Sequence, residues 1–82
     1  MTQYLILFRS LTHAQRAARA LERAGITAVI IKPPQGLGGS GCSQGVLIRK
    51  GLREALNLLE RYQIPYGKRF EKKEGQYREV DT

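Results

Sequence analysis

The chain is 82 residues long and 41% apolar, and since so short a polypeptide buries only about 60% of the surface its unfolded form exposes, it holds one compact core and excludes a second. Its longest unbroken apolar run, Tyr4 to Phe8, is far below the roughly 20 residues that cross a bilayer, and the opening Met-Thr-Gln has no basic signal-peptide start, so a membrane span is excluded and the cytoplasm is the expected compartment. Fourteen Lys and Arg against seven Asp and Glu leave a net charge of +7, which favours an anionic partner such as nucleic acid or an acidic protein, although cations scattered from Arg9 to Arg78 also fit a plain solubility surface.

Tyr4 to Phe8 is continuous, aromatic and branched, the pattern of a strand buried on both faces. A helix is expected from about residue 11, N-capped by Ser10 or Thr12, with Thr12 and Gln15 at capping-box spacing. Ala14, Ala17, Ala18, Leu21 and Ala24 form its apolar stripe, Arg16, Arg19 and Arg23 lie on the opposite face, and Gly25 is the residue expected to end it. Ile26 to Ile31 reads as a second strand, stopped by Lys32-Pro33-Pro34 because neither proline can donate to a ladder. The stretch from Pro33 to Gly45 is a glycine-rich loop of a length that compact domains usually reserve for function. Val46 to Arg49 gives a third strand, and Leu52, Ala55, Leu56 and Leu59 mark a second helix that ends near Tyr62. A last short strand is expected around Tyr66 to Phe70, after which the charged residues to Thr82 read as a frayed tail.

This order predicts an α+β, ferredoxin-like βαββαβ domain over residues 1–71, a four-stranded antiparallel sheet with two helices on one face, followed by a flexible tail over 72–82. Strands apolar on both sides leave the second sheet face in need of a cover. A homodimer joined through that face is the expected arrangement.

The single cysteine permits no internal disulfide, and with one histidine it cannot complete a four-ligand zinc site, so neither a metal nor another cofactor is expected. Cys42 sits between Gly41 and Ser43 in the glycine-rich loop, where a thiol has little packing use. In the predicted topology this loop lies at the same end of the sheet as the start of the first helix. The free N–H groups there, with Ser10 and His13, would then stabilise a thiolate and lower the thiol pKa, His13 otherwise being an ordinary solvated helix residue. A phosphate-binding reading of the loop fails because Gly-Leu-Gly-Gly-Ser-Gly lacks a Walker ending and precedes a strand. Base stacking on the sheet is also poorly supported: the third strand has no aromatic, and only Tyr4 and Phe8 on the first could serve.

Residues 3 to 70 resemble the selenium/sulfur carrier-like family of small bacterial domains. The resemblance is carried by Tyr4-Leu-Ile-Leu-Phe-Arg-Ser10 followed by the helix with Ala14, by Leu21-Glu-Arg-Ala-Gly-Ile26, by Pro33-Pro34, and by Ser40-Gly41-Cys42 before a strand. Ser43 and Gln35 are departures, since such proteins usually show glycine after the cysteine and often a basic residue after the proline pair. The resemblance implies a carrier, more than an enzyme, that takes sulfur or selenium onto Cys42 as a persulfide or perselenide and hands it to a partner protein. Gly41 and Ser43 would shape the binding loop; the stripe of Arg16, Arg19 and Arg23, read from its helical spacing, suits docking to an acidic partner or RNA and is otherwise an ordinary solvated face. The alternative is a noncatalytic basic module for RNA or an acidic protein.

Overall fold

A computed structural model describes residues 2–37 and 41–80. Its elements are β1 (Thr2–Phe8), α1 (Leu11–Arg23), β2 (Ala28–Ile31), β3 (Gln44–Ile48), α2 (Leu52–Arg61), β4 (Arg69–Lys73) and β5 (Gln76–Val80). The five strands form one antiparallel sheet in the order β2-β3-β1-β4-β5. The α+β class and both helices agree with the sequence reading. The four-stranded sheet does not: a fifth strand is added outside β4.

The fifth strand corrects the expected tail. Lys73 and Gln76 are joined through Glu74 and Gly75, both at positive φ (52° and 79°), the backbone of a type I′ hairpin turn whose twist matches that of paired strands. Residues 76–80 therefore pair with β4 instead of fraying, and Arg78 reaches Glu71 across the pair at 3.1 Å. Thr82 and Asp81 lie outside the described residues.

Both helices stop through the same device. Ala24 caps α1, Gly25 follows at φ 85°, and the N–H groups of Gly25 and Ile26 donate back to the carbonyls of Glu22 and Leu21 at 3.0 and 2.9 Å. This is the Schellman arrangement, and it delays β2 to Ala28, two residues after the expected start. At the end of α2, Gln63 and Ile64 donate to Glu60 and Leu59 in the same way, with Gln63 held at φ 58° where glycine is usual. At the start of α1, Ser10 is the N-cap: its Oγ accepts from His13 N at 3.2 Å, whereas Thr12 lies inside the helix and forms no capping box with Gln15.

Alternation along β1 divides the interior. Tyr4, Ile6 and Phe8 face the helices and join Ala14, Ala17, Leu21, Leu56 and Leu59 in the main core. Tyr4 and Phe8 are thus turned away from the bare face of the sheet, which removes the two aromatics that might have stacked bases. Leu5 and Leu7 point to that other face with Phe70, and all three are buried within a single chain. Ile31, Leu37, Cys42, Leu47 and Tyr77 pack against them. Much of the cover expected from a second copy is supplied by the chain's own loop and fifth strand.

Candidate functional site

The end of β1 determines where Cys42 goes. Ser43 N donates to Phe8 O at 3.2 Å and Ser43 Oγ donates to Arg9 O at 3.1 Å, so the loop returns to the sheet beside the β1–α1 junction. On the other side of β1, Gly67 N donates to Leu7 O at 2.7 Å and Leu7 N donates to Lys68 O at 3.0 Å. Three segments, 7–9, 41–43 and 67–68, converge there.

Cys42 is half-buried among them, packed on the cluster of Leu5, Leu7 and Phe70. Gly67 gives the sulfur its seat, since a Cβ added at that position would lie 3.0 Å from Cys42 Sγ. The other side of Cys42 borders an open cleft of about 420 Å³, lined also by Lys32, Pro33, Pro34, Gln35, Gly36 and Ser43. One wall is therefore the proline pair that ends β2. The arrangement can hold a thiol on a firm apolar base while leaving it a route outward.

The expected companions of Cys42 are only partly assembled. Gly41 and Ser43 flank it, and a Cβ on Gly41 would be 3.8 Å from Arg9 Nε. Ser10 and His13 stand at the start of α1, close in the chain to the Arg9 carbonyl that Ser43 binds, but they do not line the cleft, and the Ser10 hydroxyl is engaged with His13 N. Arg16, Arg19 and Arg23 are all exposed on α1, in the helical layer across the sheet from the cluster that holds Cys42. Ser40, part of the triplet ahead of the strand, lies outside the described residues.

Two features of this end were not foreseen. Gly67 comes from a segment that reads only as a linker into a strand, and no local pattern announces its contact with a residue 25 positions earlier. Tyr66 beside it donates to Glu60 Oε2 at 2.6 Å, a bond that, with burial and the nearby carboxylate, holds the phenol above its ordinary value of 10.0. Arg69 stacks over the Tyr66 ring at 5.6 Å and donates to Gly67 O at 3.3 Å, while its buried Nε has no hydrogen-bond partner among the described residues.

A larger cleft of about 730 Å³ lies at the opposite end of β1, lined by Thr2, Gly25, Ile26, Arg49, Gly51 and Glu54 among others, with neither cysteine nor histidine. Among the described residues no group of three or more His, Cys, Asp and Glu could hold a metal ion, and no helix is long and apolar enough to cross a membrane.

Residues 3–71 match the model of the protein family described as "Putative Se/S carrier protein-like". The matched span takes in the Cys42 loop and Gly67 and stops within β4, so β5 lies beyond it. No curated protein and no solved structure matches the chain.

Proposed function

The chain belongs to the selenium/sulfur carrier-like family, and from that premise we propose that Cys42 is the carrier atom's attachment point. The observation that carries the reading is the seat of Cys42: the chain's one thiol rests on Gly67 and the Leu7 cluster and borders an open cleft. A catalytic pocket would enclose a substrate. Here the thiol stands at the margin of the sheet, which suits delivery to a partner's active site.

The chemistry needs the thiolate, the nucleophilic form of cysteine. Cys42 S⁻ attacks the outer sulfur of a donor persulfide, a new S–S bond forms on Cys42, and the donor leaves as its thiolate. The loaded Cys42 persulfide then passes that outer sulfur to an acceptor nucleophile, and the Cys42 thiolate is restored. Selenium would follow the same path as a perselenide. No electron is gained or lost over the cycle, which is why no resident cofactor is called for.

On this reading the ferredoxin-like βαββαβ unit is the scaffold, and the compartment is the cytoplasm. Intact-mass measurement after incubation with cysteine and a cysteine desulfurase tests it. The expected result is the mass of one added sulfur, lost on mild reduction and absent from Cys42→Ser. A chain that stays unloaded, yet binds single-stranded RNA in a salt-dependent way unaffected by Cys42→Ser, would replace the carrier by the basic binding module.

A further inference from the structure

We infer that the sheet face opposite the helices, on which Cys42 lies, is the docking surface for an acidic protein. This rests on the reading of Cys42 as the transfer group.

The face is built by alternation. Phe70 belongs to the cluster under Cys42, so Lys72, two residues on in β4, shares its side of the sheet, and Lys68, just before β4 and bonded through its carbonyl to Leu7 N, reaches Glu79, the register partner of Phe70, on the same side. Lys72 pairs with Tyr77 in the β4–β5 ladder, and its Nζ stands 5.5 Å from the Tyr77 ring centroid. Lys32 lines the Cys42 cleft, and Arg9 approaches Gly41 beside it. Lys32 and Arg9 therefore stand beside the thiol, and Lys68 and Lys72 carry positive charge further along the same face. The strands set one carboxylate on this face, Glu79, which pairs with Phe70 in register and lies 4.0 Å from Lys68. Glu71 sits in the row of Tyr4 on the helix side.

Toward the β2 border the face is aliphatic. Val29 pairs with Leu47, and Leu47 with Leu5, which sets the three in one row across the sheet; Val29 is 52% exposed. An aliphatic patch flanked by cations is matched by a protein surface of the opposite charge. It is a poor match for RNA, because Phe70 is buried and Tyr77 is half-buried with Lys72 over its ring, leaving no open aromatic platform. It is a poor match for a second copy as well, since pairing this face with itself would bring lysines toward lysines on chains that each carry +7. The stripe of Arg16, Arg19 and Arg23 is in the other layer and would hold a partner away from the thiol.

Thiol–disulfide exchange with a charged probe tests the assignment. The probe is a Glu-rich peptide whose single cysteine is a mixed disulfide with thionitrobenzoate. The Cys42 thiolate attacks the peptide sulfur, a Cys42–peptide disulfide forms, and the coloured thionitrobenzoate anion leaves. Rates are divided by those for a Ser-rich peptide activated in the same way. The Glu-rich peptide is expected to react about tenfold faster at low salt, the advantage fading as salt rises. Lys68→Glu with Lys72→Glu should bring the ratio close to one, and Lys68→Gln with Lys72→Gln to an intermediate value, while the Ser-rich rate holds. Arg16→Glu with Arg19→Glu should leave the ratio unchanged.

A ratio of one in the unaltered protein, or an advantage that Arg16→Glu with Arg19→Glu removes instead, overturns the assignment. So does an oligouridylate that protects Cys42 where the Glu-rich peptide shows no advantage, or a dimer by light scattering that the lysine reversals dissociate. Sulfur loading is read separately by mass. An intact ratio without loading would retain the docking face and discard the carrier, and loading with a ratio of one would do the reverse.

Discussion

Gly67 and Cys42 touch, although 24 residues separate them in the chain, and the contact is set by the missing side chain: a Cβ on Gly67 would lie 3.0 Å from Sγ, while its next neighbours, Leu7 O and Leu7 Cβ, would be at ordinary distances of 3.5 and 3.8 Å. Adding a methyl there asks only the sulfur to move. Gly67→Ala should therefore turn the Cys42 side chain outward and raise its iodoacetamide alkylation rate severalfold. The stability cost should be no more than about 1 kcal/mol, the low end of the range for overpacking. Alkylation kinetics and urea denaturation on the same sample check both parts, and an unchanged rate would mean that Gly67 does not seat the thiol.

Gln63 occupies a position that favours glycine. It is exposed, at φ 58°, and its task in the helix stop is done by its backbone N–H. Gln63→Gly should raise the urea midpoint at constant slope, by about 0.5 to 1 kcal/mol once the greater freedom of the unfolded glycine is subtracted from the relief of left-handed strain. Gly25→Gln, at the matching position of α1, should lower it by a similar amount.

Tyr66 and Glu60 link stability to alkaline pH. The bond to Glu60 raises the folded phenol above 10.0, so the folded chain holds that proton more tightly than the unfolded one. The pair's contribution is fully present below about 10 and is lost as pH rises through the folded value. Titration of Tyr66 phenolate absorbance should show it ionising above 10.0, and Glu60→Gln should return it toward that value. A profile unaffected by Glu60→Gln would remove the assignment.

The fifth strand is expected to matter to the site even though it lies outside the family match. Tyr77 packs on Leu5, Leu7 and Phe70, which also support Cys42. Tyr77→Ala should destabilise the chain by about 1 to 2 kcal/mol, roughly the burial of half an aromatic ring or more, and speed alkylation of Cys42 through a looser base. Glu74→Asn should act the other way, because asparagine before glycine is the preferred type I′ pair.

The two helices and the first three strands were legible because their apolar residues recur at clear periods: Leu52, Ala55, Leu56 and Leu59 are all buried, and Gly25 ends α1 as its position suggests. A fourth strand expected around Tyr66 to Phe70 is found three residues later, at Arg69–Lys73, but its pairing with a fifth strand was not legible. The two strands, Arg-Phe-Glu-Lys-Lys and Gln-Tyr-Arg-Glu-Val, hide one aromatic each among charges, since an outer strand needs little apolar surface. The signal that could have revealed it is Glu74-Gly75 between two stretches of alternating pattern. For the site, topology was enough to bring the loop back beside the β1–α1 junction. It could not say on which side of the sheet the thiol would lie, because one residue of register reverses every side chain. Alternation counted back from Gln44, the partner of Phe8, would send Cys42 to the helix side; the loop leaves the strand pattern before Gln44 and lays the thiol on the Leu5 side instead.

The two borders of the sheet bear on how such a protein survives at high concentration. β2 is only four residues long and runs straight into Lys32-Pro33-Pro34, while β5 presents Gln76, Arg78 and Glu79 exposed along its length. Unpaired strand borders are where sheets recruit further strands and grow into aggregates, and brevity, proline and charge each oppose that growth. The molecule can therefore leave Val29 exposed and Cys42 beside an open cleft without offering its backbone as a template for polymerisation.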